Sequence, residues 1–226
     1  MAAAQKAMMK REFYSDAETY WKSVPATPNG MLGGFADLST KDISSSERFL
    51  EKTLVQLTGK NRAHCALDCG AGIGRVTKHL LLRKFDIVDM VELNQKFLDQ
   101  ARDEYLSGDK SQRVEKFICC GLQDFIPDAN RYDVIWAQWV LGHLTDEHLM
   151  SFFTRCKAGL TENGVICVKE NISQEGIDLD EEDSSVTRPE KVFLKLFRKS
   201  GLTVIREETQ VGFPADIYKV KMYALK

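Results

Sequence analysis

Three glycines at alternate positions, Gly70, Gly72 and Gly74, follow the apolar run Ala66-Leu67-Asp68-Cys69 and lead into Arg75. Lacking a Cβ, they let the backbone pass close to a ligand. The free N–H groups that open the next helical pattern favour a negative group there. Arg75 offers a planar fork suited to a carboxylate. Glu92 ends the following apolar run about twenty residues on, where an acid can accept both hydrogen bonds of a ribose. Leu122 and Gln123 follow the third apolar run and pair a ring-covering side chain with an edge-reading amide, as an adenine requires. Gln138 follows the fourth. Each position lies just past the carboxyl end of a predicted strand, where open α/β sheets bind ligands.

The elements that must position these residues alternate from Ala63 onward. Apolar runs at 63–67, 87–91, 114–119, 132–136 and 165–168 predict strands. Helical patterns at 75–84, 95–105 and 146–160 separate them. Short, nearly continuous apolar strands between helices imply a parallel sheet covered on both faces. Two further apolar segments, 202–205 and 217–224, follow a helical pattern at 192–199. Residues 13–58 read as helices and loops, with capping-box patterns at Ser15-x-x-Glu18 and Ser44-x-x-Glu47.

The chain has 226 residues and a formal net charge of -2, with 43% hydrophobic and 28% charged residues. These values fit one domain with a full-sized core and give no basic excess for nucleic acid. No run approaches the roughly 18 apolar residues of a membrane span, and the opening residues lack the apolar core of a signal peptide. The expectation is a soluble, intracellular protein that binds neither nucleic acid nor membrane. The six cysteines form no C-x-x-C pair and fit small core fillers in a reducing compartment; no metal site is expected.

The run Asp68-x-Gly70-x-Gly72-x-Gly74 resembles motif I of S-adenosylmethionine (SAM) methyltransferases; a dinucleotide turn would have Gly or Ala where Arg75 stands. Beyond this motif, Gly30–Phe35, Trp136–Thr145 and Lys169–Ser185 closely resemble the protein α-N-terminal methyltransferases, a likeness running from about Phe13 to the C-terminus. It implies a Rossmann-like, doubly wound, mostly parallel sheet with a terminal antiparallel hairpin and an N-terminal helical extension. Residues 1–12 match nothing and are expected to be a disordered tail. Residues 13–226 form the methyltransferase domain, with 13–58 a substrate-side extension or lid.

The resemblance also implies the ligands: SAM, leaving as S-adenosylhomocysteine, and protein tails beginning Xaa-Pro-Lys or Xaa-Pro-Arg. Gly70, Gly72, Arg75, Glu92, Leu122, Gln123 and Gln138 would hold SAM, with Gln138 at its methionyl end. Asp183, His143 and Asn171 would be catalytic. Leu32, Gly33, Trp139 and Ile217, with Tyr218 beside them, would receive the proline. Asp180, Asp183 and Ser185 would meet the third residue, and Trp21 would close over the amine. An α-amine ionises near pH 7.7–8 and a lysine near 10.4, so freeing the former's lone pair near neutral pH costs about 1 kcal/mol or less, against roughly 4 for the latter. A proline lacks the N–H that an apolar recess would strand. The resemblance allows nuclear substrates, so nucleus and cytoplasm are the expected location, although the sequence shows no strong basic import signal. The competing expectations are a methyltransferase for small molecules or lysine, and a module that binds SAM or a tail without turnover.

Overall fold

The computed structural model describes residues 3–226. Nine strands form: β1 (Ala63–Cys69), β2 (Phe85–Glu92), β3 (Val114–Cys119), β4 (Tyr132–Gln138), β5 (Leu160–Ile172), β6 (Asp178–Asp180), β7 (Ser185–Thr187), β8 (Val204–Thr209) and β9 (Lys219–Leu225). Seven make one sheet in the order β3-β2-β1-β4-β5-β9-β8, and β6 pairs with β7 alone. The five strands from β3 to β5 are parallel, while β9 runs antiparallel between β5 and β8. The chain leaves β1 toward β3 and returns to β4 on the other side, so the order reverses between β1 and β4. That reversal opens a crevice at the carboxyl ends. The terminal hairpin implied by the family likeness is present.

Successive side chains of a strand point to opposite faces. Cys65, Leu67, Ile135 and Ala137 face a core with Phe152, Phe153, Phe197 and Tyr223, under helices Asp146–Gly159 and Glu190–Lys199. Ala66, Val134 and Trp136 face the opposite core with Phe49, Leu50, Leu80 and Phe85, under helix Ser39–Thr58. Both faces are therefore covered, as the apolar runs require.

Three expectations for the N-terminal part are corrected. The segment expected to be a tail holds a helix at Ala3–Met8, with Ala4 buried; Met1 and Ala2 lie outside the described residues. Met8 Sδ takes a contact from the buried Arg188 at 3.5 Å, which gives this short helix a tertiary anchor. The second helix starts at Phe13 with Glu12 as its N-cap, so Ser15 caps nothing and bonds back to the Glu12 carbonyl. Ser44 likewise lies inside helix Ser39–Thr58, which ends on Gly59 in the left-handed region. Its neighbours Ser45 and Ser46 are buried and bond to Gln210 and Lys169. Those serines line a polar interior and do not begin a helix.

Candidate functional site

Two concave regions adjoin at the carboxyl ends of the strands. The first, a narrow cavity of about 140 Å³, sits over the glycine turn. Gly70, Gly72 and Gly74 all have positive φ. A Cβ on Gly70 would come 2.5 Å from Val140 Cγ2, and one on Gly72 would come 2.5 Å from Met31 Sδ. Positive φ and close approach together require glycine at both positions. Asp68 lines the cavity and is held by Thr77: its Oδ2 accepts from Thr77 N at 3.0 Å and Thr77 Oγ1 at 2.6 Å. Burial pushes its carboxyl up to about 6, against the pull of those bonds.

Glu92 closes the turn from β2. Its Oε2 accepts from Gly72 N at 3.0 Å and its Oε1 from Asn94 N at 2.9 Å. Each oxygen keeps a second lone pair, so the carboxylate can still receive a diol. Burial raises its ionisation range, and the backbone donors oppose that. Leu122 and Gln123 stand in the far wall, where Arg155 pins the loop by donating to the carbonyls of Leu122 (2.8 Å), Gln123 (3.0 Å) and Phe125 (2.6 Å). Arg155 was not legible as a site-supporting residue, because a surface arginine on a helix carries no pattern of its own.

Arg75 and Gln138 line the cavity but are less free than expected. Arg75 Nη1 donates to Asp42 Oδ2 at 2.7 Å and Ser39 Oγ at 3.4 Å; Nε and Nη2 make no hydrogen bond among the described residues. Gln138 is held at both ends of its amide. Its Nε2 donates to both oxygens of Asp42 and its Oε1 accepts from Trp136 Nε1, which fixes the amide in the cavity wall with one lone pair of Oε1 still open to a methionyl group. Tyr14 is a further cavity residue that the sequence did not mark. Its hydroxyl meets His148 Nδ1 at 2.5 Å and accepts from Thr145 N at 3.2 Å.

The second region is an open cleft of about 840 Å³. Trp21, Met31, Trp139 and His143 belong to the walls of both regions. Leu32, Gly33, Asn171, Asp183, Ser185, Ile217 and Tyr218 are all in the cleft wall, as expected. Asp180 is not brought there. It is exposed on β6, and its Oδ1 accepts from Glu182 N at 2.9 Å in the turn of the β6–β7 hairpin. Asp178 takes the place in the wall and accepts from Tyr218 Oη at 3.1 Å; Glu175 and Asp216 add negative charge.

The junction of the two regions holds His143, with Asp183 beside it. His143 sits on a single 3-10 turn, Leu141–His143, braced from both ends. Glu170 Oε1 accepts the N–H groups of Val140 (2.9 Å) and Leu141 (2.8 Å), while buried Arg188 donates to the carbonyls of Leu141 (3.0 Å) and Leu144 (2.5 Å). Trp21 Nε1 donates to His143 Nε2 at 3.0 Å, so a neutral ring carries its hydrogen on Nδ1. Asp183 Oδ2 is 3.9 Å from the same nitrogen. Burial pushes the imidazole below its ordinary range, which Asp183 partly opposes. Trp139 adopts φ +52°, a costly conformation for a bulky residue. Among the described residues four buried polar side-chain atoms lack a hydrogen-bond partner, and three of them belong to residues of this junction: Trp139 Nε1, His143 Nδ1 and Asp183 Oδ1. Buried polar groups are normally paired, so donors and acceptors at this junction await a polar ligand.

A glycine turn that admits no side chain, an acid at the end of β2 and a guanidinium with unused donors fit SAM. The sheet order and this cavity together define a SAM-dependent methyltransferase of the Rossmann-like class. Residues 9–226 match the family described as AdoMet dependent proline di-methyltransferase, and the chain belongs to that family. It is 54% identical over 214 residues to N-terminal Xaa-Pro-Lys N-methyltransferase 1 of Danio rerio, covering 95% of each chain. To the Homo sapiens protein of the same name it is 50% identical over 217 residues, covering 96% of each. Among solved structures, a SAM-dependent methyltransferase from Leishmania major superposes with a TM-score of 0.87 at 40% identity, over 95% of this chain and 83% of that one. A Burkholderia thailandensis N-methyltransferase bound to S-adenosylhomocysteine matches at TM-score 0.67 and 19% identity over 100% of this chain and 91% of that one, which shows the shared fold.

Proposed function

We propose that this enzyme transfers methyl groups from SAM to the free α-amine of protein tails beginning Xaa-Pro-Lys or Xaa-Pro-Arg. The observation that carries this reading is the unpartnered, buried Asp183 Oδ1 at the junction of the two regions. A buried carboxylate oxygen without a donor is costly, and an ammonium supplies the missing donor. SAM, when bound, supplies a methyl made electrophilic by its sulfonium. Asp183 orients the ammonium and takes up its proton, directly or through water. Asn171 faces the same cleft and offers a side-chain carbonyl to the amine.

His143 has a more restricted part than its residue type implies. Its Nε2 lone pair is engaged by Trp21, so the ring accepts a proton only when that indole gives way. While paired, it fixes the indole over the junction. Leu32, Ile217 and Trp139 form the apolar recess for proline, and Asp178 with Glu175 provides the charge for the third residue. Holding the amine at the mouth of the cofactor cavity is itself the larger part of catalysis for a direct displacement.

The test is mass analysis of Ser-Pro-Lys, Ser-Ala-Lys and N-acetylated Ser-Pro-Lys peptides incubated with SAM. Methylation confined to the first, at its α-nitrogen, is the expected result. Methylation of the lysine side chain, or none of any peptide, overturns the proposal.

A further inference from the structure

A charged cluster lies beneath the cofactor cavity and has no part in the proton chemistry. Asp42, on helix Ser39–Thr58, is fully buried. It receives Arg75 Nη1 at 2.7 Å on Oδ2 and Lys169 Nζ at 2.5 Å on Oδ1, and Gln138 Nε2 bridges both oxygens. Lys169, on β5, is equally buried and gives its remaining donors to Ser46 Oγ at 2.9 Å and Gln210 Oε1 at 2.7 Å. Of these residues, Arg75 and Gln138 reach the cavity wall, and only Arg75 has donors left over.

The arrangement has an electrostatic logic. A buried carboxylate next to a guanidinium fixes its plane, but it also cancels its charge. With Arg75 as its sole cation, Asp42 would leave nothing to attract another anion. A second cation on the opposite oxygen changes that balance: Lys169 neutralises Asp42, and Arg75 keeps both its orientation and its charge. Asp68, the acid of the glycine turn, spends its hydrogen bonds on Thr77 and makes no ion pair with Arg75.

We propose that Lys169, wholly outside the cavity wall, is a specificity-determining residue for the anionic end of the cofactor, acting by balancing the negative charge of Asp42 so that Arg75 can bind a carboxylate. This rests on the reading that the cavity holds SAM. The cluster also flanks Trp139, whose ring centre lies 5.8 Å from the Arg75 guanidinium and 6.0 Å from Lys169 Nζ, so the same charges border the junction.

Calorimetric titration of the full chain with SAM and with 5′-methylthioadenosine, which lacks the amino-acid end, tests the proposal. Lys169→Met is expected to weaken SAM by about ten- to a hundredfold, the worth of a charge-assisted pair, and to leave methylthioadenosine unchanged. Adding Asp42→Asn to that variant removes the anion as well and restores SAM to within about threefold of the parent. Asp42→Asn alone keeps or tightens SAM binding. Equal loss of both ligands in Lys169→Met, or failure of the double variant to recover SAM while it still binds methylthioadenosine, overturns the inference. Should Lys169→Met not fold, Asp42→Asn decides: a tenfold loss of SAM with methylthioadenosine intact overturns it, and unweakened SAM supports it. If the parent chain binds neither ligand, the cofactor reading fails first and this inference with it.

Discussion

The indole nitrogen of Trp21 donates to Nε2 of His143 across 3.0 Å, joining the N-terminal extension to the turn that follows β4. The same tryptophan offers its carbonyl to Asn94 Nδ2 at 3.1 Å, and Asn94 N binds Glu92. The extension is thus tied at one residue to both the end of β2 and His143. Trp21→Phe keeps the ring but loses the donor. Turnover should fall about three- to thirtyfold, the worth of one hydrogen bond to an active group, with SAM affinity within about twofold. Steady-state kinetics alongside calorimetry checks both numbers; an unchanged kcat would detach the indole from the chemistry.

Asp183→Asn keeps the size of the side chain and removes its charge. Turnover on a Ser-Pro-Lys peptide should drop by about 10²–10⁴, the usual worth of a positioned proton acceptor, and SAM should bind as before. A variant that loses SAM would place Asp183 in the wrong region.

Gly72→Ala brings a Cβ against Met31 Sδ at 2.5 Å and keeps a positive φ. A cost of about 1–3 kcal/mol in stability is expected from the backbone strain, together with loss of SAM binding. Thermal unfolding with and without SAM reads both; a variant that SAM still stabilises fully would contradict the close-approach role.

Glu170 gives a pH signature. Burial raises its carboxyl from an ordinary value near 4.5 to about 7, with its backbone donors opposing. Because the folded value is the higher one, the folded state gains from the protonated acid below pH 4.5 and loses that gain as pH climbs to about 7. The size is about 3 kcal/mol at most, by the conversion of one pKa unit to about 1.4 kcal/mol. Urea titrations from pH 4.5 to 8 should show this decline relative to Glu170→Gln. A difference between the two chains that does not vary with pH would rule out the assignment.

Much of the sheet was legible because buried parallel strands carry continuous apolar runs. β3 coincides with its predicted bounds, and β1, β2 and β4 differ from theirs by a few terminal residues. The three-residue strands β6 and β7 were hidden, since short half-exposed strands in an acidic stretch leave no periodicity. The glycine turn, Glu92, and Leu122 with Gln123 were legible from their places after strands. Asp42 and Lys169 were not: they meet across 127 positions, and no local pattern marks a pair whose meaning is burial. The hold on Gln138 was hidden for the same reason, because its partner Asp42 was invisible. The place of Asp180 in the hairpin turn, outside the cleft wall, was not legible, because a run of acids does not reveal which members a turn engages.

Trp21, Met31, Trp139 and His143 are a partition one side chain thick, with a chamber on either side. A group passing between the chambers crosses no corridor, and bulk added on the peptide side presses on the same rings that border the nucleoside side. Successive methyl groups on one nitrogen therefore compete for space with three fixed aromatic rings and a thioether. How many can be loaded becomes a property of that thin divider, open to adjustment by replacing Met31, its one unbranched and pliable member.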